Sequence, residues 1–307
     1  MEKECKLIHA EDIEKYLISQ RFDFEIEGSR EELIIGFSTL RNYQERTLTW
    51  VKSQEKIPTV LSRISACVVQ KGVEIEAGVK IVSENSKEVF FSILEAFWGD
   101  KDEKNSVIGT GSVIGKSVQL GEGVKIGCNC TIVGEIHIGA ETVVGDNVVI
   151  RNRVNIGQNC VIQSLSVIGE DGYGYSEDDN HVKTMIKHFG GVVIEDDVFV
   201  GSHTNIARGT IDNTVIKKGV KIAPSTHIGH NNYVGENVSI VCSKLFGSVT
   251  VGRNSYISSS IIRNQITIGE NVIIGMGSVV THDVPDNKVA LGSPARTIRE
   301  NSGKEKI

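Results

Sequence analysis

A six-residue repeat is the feature that most limits how this chain can fold. From Ile108 to Ile168 an aliphatic residue stands at every sixth position, and glycine follows many of these residues. The position two before each is small or aliphatic. A period of six does not suit an amphipathic helix, which needs 3.6, whereas residues at i and i−2 share one face of a strand. The repeat therefore predicts short strands and turns stacked into a hexapeptide β-helix, each unit burying its apolar residues against the next.

Two polar excursions interrupt the repeat. The longer one, "GEDGYGYSEDDNHVKTMIKHFGG", follows Ile168, and the register resumes at Ile194. A long, Gly-rich interruption of a solenoid predicts an external loop over residues 170–190, and such loops often carry function. The shorter excursion, "RGTIDNT", contains Arg208 and Asp212, which we expect to pair and hold it.

Residues 1–100 do not follow the repeat. The segments "AEDIEKYLIS" and "SKEVFFSILEAFW" predict helices, and "LTWVK" and "ACVVQ" predict strands. We therefore expect a small α/β domain over residues 1–100, a β-helix domain over 101–290 and a C-terminal tail over 291–307. The boundary is expected in the charged, Gly-led stretch "GDKDEKN".

Composition narrows the possible partners. The net charge is −6, so no basic field favours nucleic acid. No apolar run is long enough for a membrane helix, and the N-terminus has no apolar targeting segment, which predicts a cytoplasmic protein without stable membrane insertion. The six cysteines lack the paired spacing of a zinc site and are expected to be free thiols.

Four ordered segments carry a family resemblance: "GEDGYGY", "GGVVIEDDVFVG", "ARGTIDNTVI" and "IGHNNYVG". Together they resemble the UDP-3-O-(3-hydroxyacyl)glucosamine N-acyltransferases of lipid A biosynthesis. The resemblance implies a mainly β chain, with a left-handed parallel β-helix after a nucleotide-binding-like α/β domain. It implies a homotrimer with active sites between neighbouring solenoids and no bound cofactor or metal. The implied co-substrates are an acyl thioester, either acyl-CoA or acyl-carrier protein, and a nucleotide-linked amino sugar.

The resemblance also assigns roles to individual residues. It makes His230 the general base that accepts the amine proton, a task that suits imidazole near neutral pH. It makes the Gly247 N–H the donor to the developing oxyanion. Gly247 lies about one coil of three hexads after His230, so stacking brings the two close together. Trp50, Tyr173 and Asn231 are the expected substrate-binding residues.

The C-terminal stretch "GSVVTHDVPDNKVALGSPARTIRE" resembles instead the hexapeptide sugar acetyltransferases that use acetyl-CoA. That resemblance assigns Gly277, Ser278 and Arg296 to donor binding. The lipid A family usually has a second histidine a coil or two beyond the base and an acidic residue shortly before it. This chain has Asn264 or Gln265 at the first place and Ala223 at the second. At the nucleotide site, Ser53 and Lys56 stand where that family has polar and aromatic partners.

Other interpretations fit the same residues. One alternative is an acetyl-CoA-dependent sugar acetyltransferase of a surface-polysaccharide pathway. Another is a non-catalytic solenoid that binds a nucleotide sugar or scaffolds partners. A zinc site is disfavoured because His227 and His230 are only three residues apart. Trp50 is expected either to stack on a nucleobase or to pack in a core, and Tyr173 either to contact the acceptor or to pack its loop. Three other histidines are predicted to be surface residues: His137, His181 and His188.

Overall fold

The structure is a computed structural model that describes residues 7–54, 64–99 and 107–303. The chain divides into two compact units, Met1–Glu103 and Lys104–Ile307. Lys56, Cys5 and most of the predicted boundary segment lie outside the described residues. The cysteines that are described are free thiols: Cys67, Cys128, Cys130, Cys160 and Cys242.

The N-terminal unit is a small α/β fold. Its helices are Ala10–Ser19 and Ser86–Trp98, with a short 3-10 turn at Leu40–Asn42. Its main sheet has, in spatial order, the strands Glu25–Gly28, Ala77–Ser83, Ile64–Gln70, Thr47–Val51 and Gly36–Phe37. A two-stranded antiparallel pair joins Ile8–His9 to Leu33–Ile34. One face of each helix is buried together with the sheet in a common core.

The second unit is a solenoid whose short strands stack in three parallel ladders. Its first ladder contains the strands Val107–Ile108, Lys125–Ile126, Val143–Val144, Val161–Ile162, Phe199–Val200, Lys221–Ile222, Ser239–Val241, Tyr256–Ser258, Ile273–Ile274 and Lys288–Gly292. The second contains Val113–Ile114, Thr131–Ile138, Val149–Ile156, Val167–Ile168, Asn205–Ile206, His227–Ile228, Lys244–Leu245, Ile261–Ile262 and Val279–Val280.

The third ladder contains Val118–Leu120, the second halves of Thr131–Ile138 and Val149–Ile156, and then Val192–Ile194, Thr214–Ile216, Tyr233–Val234, Thr250–Val251 and Thr267–Ile268. Thr131–Ile138 and Val149–Ile156 each continue round a corner and so belong to two ladders. The predicted fold class is confirmed: the chain is mainly β, with a parallel β-helix and a small N-terminal α/β unit.

From Ile114 onward, the aliphatic residues of the repeat pack into one continuous core. Ile150, Ile162, Ile206 and Ile228 have no exposed surface, and the turns between strands repeatedly place asparagine or serine at positive φ. Most strands of the solenoid are only two or three residues long, so their stability comes from stacking between coils. The core thereby fixes the register that aligns turn residues of successive coils.

Truncating a residue of this core is expected to destabilise the solenoid strongly. Ile162 is fully buried, whereas its neighbour Val161 in the same strand is 37% exposed. We expect Ile162→Ala to lower the free energy of unfolding by about 2–5 kcal/mol through the cavity it leaves. Val161→Ala is the matched control and is expected to change it by less than about 1 kcal/mol. Urea unfolding followed by circular dichroism checks this, and equal effects of the two variants would contradict the inward orientation of Ile162.

Two segments depart from the regular coils. The loop predicted over residues 170–190 contains an antiparallel hairpin between Tyr175–Glu177 and Lys183–Met185. The predicted tail begins in ordered structure, because Lys288–Gly292 continues the first ladder and Ala295–Glu300 pairs back on it antiparallel. Neither helix of the described ranges is long and apolar enough to cross a membrane.

Candidate functional site

His230 lies in the turn that follows the strand His227–Ile228. Ile228 pairs with Ile206 on the preceding coil and with Leu245 on the next. This register places Arg208, His230 and Gly247 above one another at the same corner. The Ser248 N–H donates to the His230 carbonyl at 2.8 Å and so closes the stack. The coil from Ile228 to Leu245 is one residue shorter than three full hexads, and His230 is still aligned with Gly247.

Gly247 lies directly against the His230 imidazole. A Cβ added at Gly247 would come 2.5 Å from Nε2 and 2.6 Å from Cε1 of His230. The backbone of Gly247 is not in the left-handed region, so the imidazole, and not the backbone conformation, requires glycine here. Among the described residues the Gly247 N–H has no hydrogen-bond acceptor. The His230 imidazole therefore packs against a residue whose backbone donor is unpaired.

The long loop returns to cover the same histidine. A Cβ at Gly172, in the "GEDGYGY" segment, would come 2.8 Å from Cδ2 and 2.9 Å from Cβ of His230. Gly172 thus lets the loop backbone pack onto the ring. The loop and the histidine, each singled out separately in the sequence, form one site.

His188 is a site residue that sequence reasoning missed. It was predicted to lie on the surface, and this is wrong: its side chain is fully buried. Its ring is perpendicular to that of His230, with centroids 5.2 Å apart. Its Nδ1 is 2.9 Å from the Ile186 carbonyl oxygen, which only accepts, so Nδ1 carries the proton. The one available signal was its place at the end of the loop, directly before the chain returns to the solenoid core.

A buried arginine fixes the backbone of His188. The Arg208 guanidinium donates to the His188 carbonyl and lies 3.6 Å from the Asp171 carboxylate. Asp171 in turn accepts the His188 N–H at 3.3 Å. The expected pairing of Arg208 with Asp212 is wrong, since Asp212 is exposed and Arg208 turns toward the long loop. Arg208 therefore ties the loop to the solenoid coil that precedes His230.

Two asparagines after His230 hold the surrounding turns. Asn231 accepts the Thr210 N–H at 2.6 Å, and its amide donates to the Thr210 hydroxyl at 2.9 Å. The Asn232 amide donates to the carbonyls of Gly229 and Phe246, both at 2.8 Å. Asn231, predicted to bind substrate, thus has its side chain engaged by the smaller loop. Asn232 connects the His230 turn to the coil of Gly247.

The pKa of His230 is lowered from its ordinary value of 6.5, first by burial and then by electrostatic repulsion from His188, while the Asn231 side chain acts in the opposite direction. His227 also has a lowered pKa, because of burial, Lys244 and His230. A lowered pKa means that the protonated form of each ring is disfavoured. His230 is therefore held in the neutral form that accepts a proton.

This shift is directly measurable. A lowered pKa means that His230 stays neutral as the pH falls through 6.5 and gains its proton only below that value. We expect an NMR titration of the His230 Cε1–H signal to have its midpoint below 6.5. The signal is assigned by its loss in His230→Gln. A midpoint at or above 6.5 would contradict the burial of the ring.

The other predicted substrate residues have different surroundings. Trp50 belongs to the N-terminal unit, where its indole N–H donates to the Ser86 hydroxyl at 3.0 Å and its ring stacks on Phe90. These contacts favour the packing interpretation over base stacking. Tyr173 directly follows Gly172, is 74% exposed and contacts Tyr175 edge to face. Its phenol is free to meet a ligand or a second chain beside the site.

The predicted donor-binding residues lie near the last coils. Ser278 is buried, and its hydroxyl donates to the Gly275 carbonyl and accepts the Gly292 N–H. That hydroxyl therefore serves the turn and is not available to a ligand. Gly277 has a φ of 75°, and the position that a Cβ would take there is open space. Arg296 is exposed and borders a cavity of about 300 Å³ together with His282 and Asp283.

In the described part of the chain, no three histidine, cysteine, aspartate or glutamate side chains come together as a metal site would require. Asn264 occupies the corner position on the coil after Gly247, because Leu245 pairs with Ile262. The second imidazole at this site thus comes from the preceding loop, and not from a later coil.

Comparisons with known proteins agree with this architecture. The family model described as the GMPPB C-terminal domain matches residues 209–291. A UDP-3-O-acylglucosamine N-acyltransferase of Francisella tularensis subsp. holarctica is 45% identical over 75 residues, 24% of this chain and 22% of that protein. One of Campylobacter jejuni is 47% identical over 75 residues, 24% of this chain and 23% of that protein. The chain spans about a fifth of the length of these relatives.

Solved structures extend the likeness over more of the chain. The UDP-N-acetylglucosamine acyltransferase of Campylobacter jejuni superposes with a TM-score of 0.57 at 22% identity, covering 64% of this chain and 75% of that one. The Arabidopsis enzyme of the same name gives 0.55 at 27% identity, covering 65% and 72%. The resemblance to hexapeptide-repeat acyltransferases is thus confirmed in sequence and fold. The resemblance of the C-terminal end to sugar acetyltransferases stays a prediction.

Proposed function

We propose that this protein is an N-acyltransferase that moves an acyl group from a thioester to the amino group of a nucleotide-linked amino sugar. The observation that carries the proposal is the position of the His230 imidazole against Gly247, whose N–H has no acceptor among the described residues. A base that packs against a residue with an unpaired backbone donor suits acyl transfer. The acceptor class comes from the relatives, which are named for N-acylation of a UDP-linked acylglucosamine.

The reaction follows from this arrangement. The amine nitrogen attacks the thioester carbonyl carbon while His230 Nε2 takes the amine proton. The carbonyl oxygen becomes an oxyanion that accepts the Gly247 N–H. Collapse of the tetrahedral intermediate breaks the C–S bond, and the imidazolium returns its proton to the departing thiolate. The products are an amide and a free thiol, and no covalent enzyme intermediate forms.

Burial supports this role for His230. A base must be neutral to accept the amine proton, and burial lowers the pKa of this imidazole. Gly172 and His188 cover the ring from the loop side and limit access of water to it. Tyr173, exposed next to Gly172, is the residue proposed to contact the sugar acceptor.

The donor is proposed to approach along the coils that follow Gly247. Arg296 and His282 at the cavity near the last coils offer hydrogen-bond donors to phosphate, which both acyl-CoA and the phosphopantetheine group of a carrier protein contain. Gly277 leaves open space at the adjoining turn. Arg296→Ala is accordingly expected to raise the KM for the donor more than it lowers kcat.

A homotrimer is part of the proposal. Large apolar side chains next to the site are exposed in a single chain, among them Ile211 at 82% and Phe189 at 64%. Such a patch beside a covered active site suits contact with a second copy. Light scattering coupled to gel filtration measures the mass of the assembly, and a monomer would contradict this part.

The test of the proposed function is a mass-spectrometric transfer assay. Purified protein is offered acetyl-CoA, 3-hydroxyacyl-CoA or 3-hydroxyacyl-carrier protein against UDP- and dTDP-linked amino sugars. An N-acylated sugar from any thioester supports the proposal, and the productive donor decides between CoA and carrier protein. Absence of product from every pair, with a sugar that binds by calorimetry, would overturn it in favour of a non-catalytic binding solenoid.

A further inference from the structure

Two adjacent imidazole rings at the site each contain a buried nitrogen that has no hydrogen-bond partner. They are Nε2 of His188 and Nδ1 of His230, and neither has a hydrogen bond within the described residues. The rings are perpendicular, with centroids 5.2 Å apart. A buried polar atom without a partner destabilises the folded protein, so two such atoms in adjacent rings need an explanation.

The two nitrogens have complementary hydrogen-bonding roles. The bond from His188 Nδ1–H to the Ile186 carbonyl leaves a lone pair on His188 Nε2 when this ring is neutral. His230 can act as a base through Nε2, next to Gly247, only if its own proton is on Nδ1. One nitrogen is therefore an acceptor and the other a donor.

The spacing of the rings allows them to bond. The ring nitrogens of imidazole lie about 1.2 Å from the ring centre, so centroids 5.2 Å apart leave about 3 Å between nitrogens that face each other, a hydrogen-bond distance. The perpendicular planes are no obstacle, because the N–H and the lone pair each lie in the plane of their own ring.

A simple rotation brings the donor to the correct side. His230 Cδ2 and His188 Nε2 both lie close to Gly172, at 2.8 and 3.1 Å from the position of a Cβ there. Turning the His230 ring by half a revolution about its Cβ–Cγ bond exchanges Cδ2 with Nδ1. It also exchanges Nε2 with Cε1, and both of these positions are equally close to Gly247. The base thereby keeps its place while its Nδ1–H turns toward His188.

We propose that His188 is the positioning residue of this site. It accepts the Nδ1–H of His230 and thereby fixes the tautomer with the lone pair on Nε2. It takes the part that a carboxylate has in many His-based sites. Arg208 and Asp171 hold the His188 backbone on both sides, so the acceptor is fixed by the loop. The kinetic role rests on the proposed function, whereas the hydrogen bond does not.

The hydrogen bond is tested by NMR without substrate. The full-length protein is labelled with ¹⁵N-histidine and held near pH 8, where imidazole is neutral. Long-range ¹H–¹⁵N spectra then report the tautomer of His230, assigned by its loss in His230→Gln. We expect Nδ1 protonated and Nε2 unprotonated in the unmodified protein. A His230 protonated on Nε2 would overturn the proposal, whatever any variant does.

Variants separate the acceptor from the bulk of the ring. His188→Phe keeps a ring but removes the acceptor, and His188→Gln supplies an amide oxygen. We expect the His230 tautomer to change in His188→Phe and to be retained in His188→Gln, with His181→Phe, an exposed position, as the control. An unchanged tautomer in a folded His188→Phe would overturn the proposal.

Kinetics then test the positioning role. We expect His188→Phe to lower kcat about 10–100-fold with KM within about twofold, and His188→Gln to recover most of the loss. A rise in KM with unchanged kcat would overturn the role and make His188 a substrate-binding residue. If the unmodified protein transfers no acyl group, the proposed function fails, and the NMR tautomer still decides whether the two histidines are bonded.

Discussion

His230→Ala is expected to lower kcat for N-acyl transfer by about 10²–10⁴-fold, the range that a general base contributes. The change removes the imidazole that takes the amine proton while leaving Gly247 and the solenoid core in place. Because His230 is a turn residue, the circular dichroism spectrum and the assembly mass are expected to stay unchanged. The assay is the mass-spectrometric transfer described above, run with the donor that the unmodified protein uses.

His137→Ala is the matched control for this variant. His137 is also a solenoid histidine, but it is exposed on an earlier coil, where its Nδ1 is 3.1 Å from the Asn155 amide oxygen. Its removal is expected to leave kcat within about twofold. Normal transfer by a folded His230→Ala would contradict the catalytic assignment and favour a site that binds a nucleotide sugar without reacting.

Gly247→Ala is expected to lower kcat by about 10²–10³-fold, similar to the loss of an oxyanion donor. The new methyl group would come 2.5 Å from His230 Nε2, closer than any real contact, so the imidazole must move away from the acyl carbonyl. The backbone conformation of Gly247 accepts alanine, so the loss comes from the site and not from unfolding. Parallel measurements of kcat, KM and melting temperature check this.

Gly174→Ala serves as the control for Gly247→Ala. This glycine is also next to the site, yet a Cβ there meets only His188 Cε1, at 3.4 Å, an ordinary contact. We expect it to retain transfer within about threefold. If Gly247→Ala kept full activity as well, the close packing of the base on Gly247 would have no catalytic part.

Much of the fold could be predicted because the repeat is local and periodic. The six-residue spacing predicts that residues such as Ile150 and Ile162 are buried, since each strand buries the same face. The stack of His230 on Gly247 followed from the same periodicity, because one coil returns the chain to the same corner. This alignment holds although the coil between the two residues is one residue shorter than three hexads.

The residues outside the repeat were harder to predict. His188 and Arg208 lie in or beside the excursions, where no period relates sequence position to burial. Nothing in "MIKHFGG" indicates that His188 would be the buried residue while Phe189 stays 64% exposed. Ser278, expected at a donor site, has its hydroxyl engaged by its own turn.

The sequence by itself determined the solenoid, its core and the corner where His230 meets Gly247, because a strict local period fixes which side chains share a face and a coil. Only the tertiary structure decided how the long loop closes over that corner. Contacts between distant residues bring His188 and Gly172 onto His230, and they give Arg208 to Asp171 in place of Asp212. Such contacts depend on the path of an irregular backbone in three dimensions, and no local pattern encodes that path.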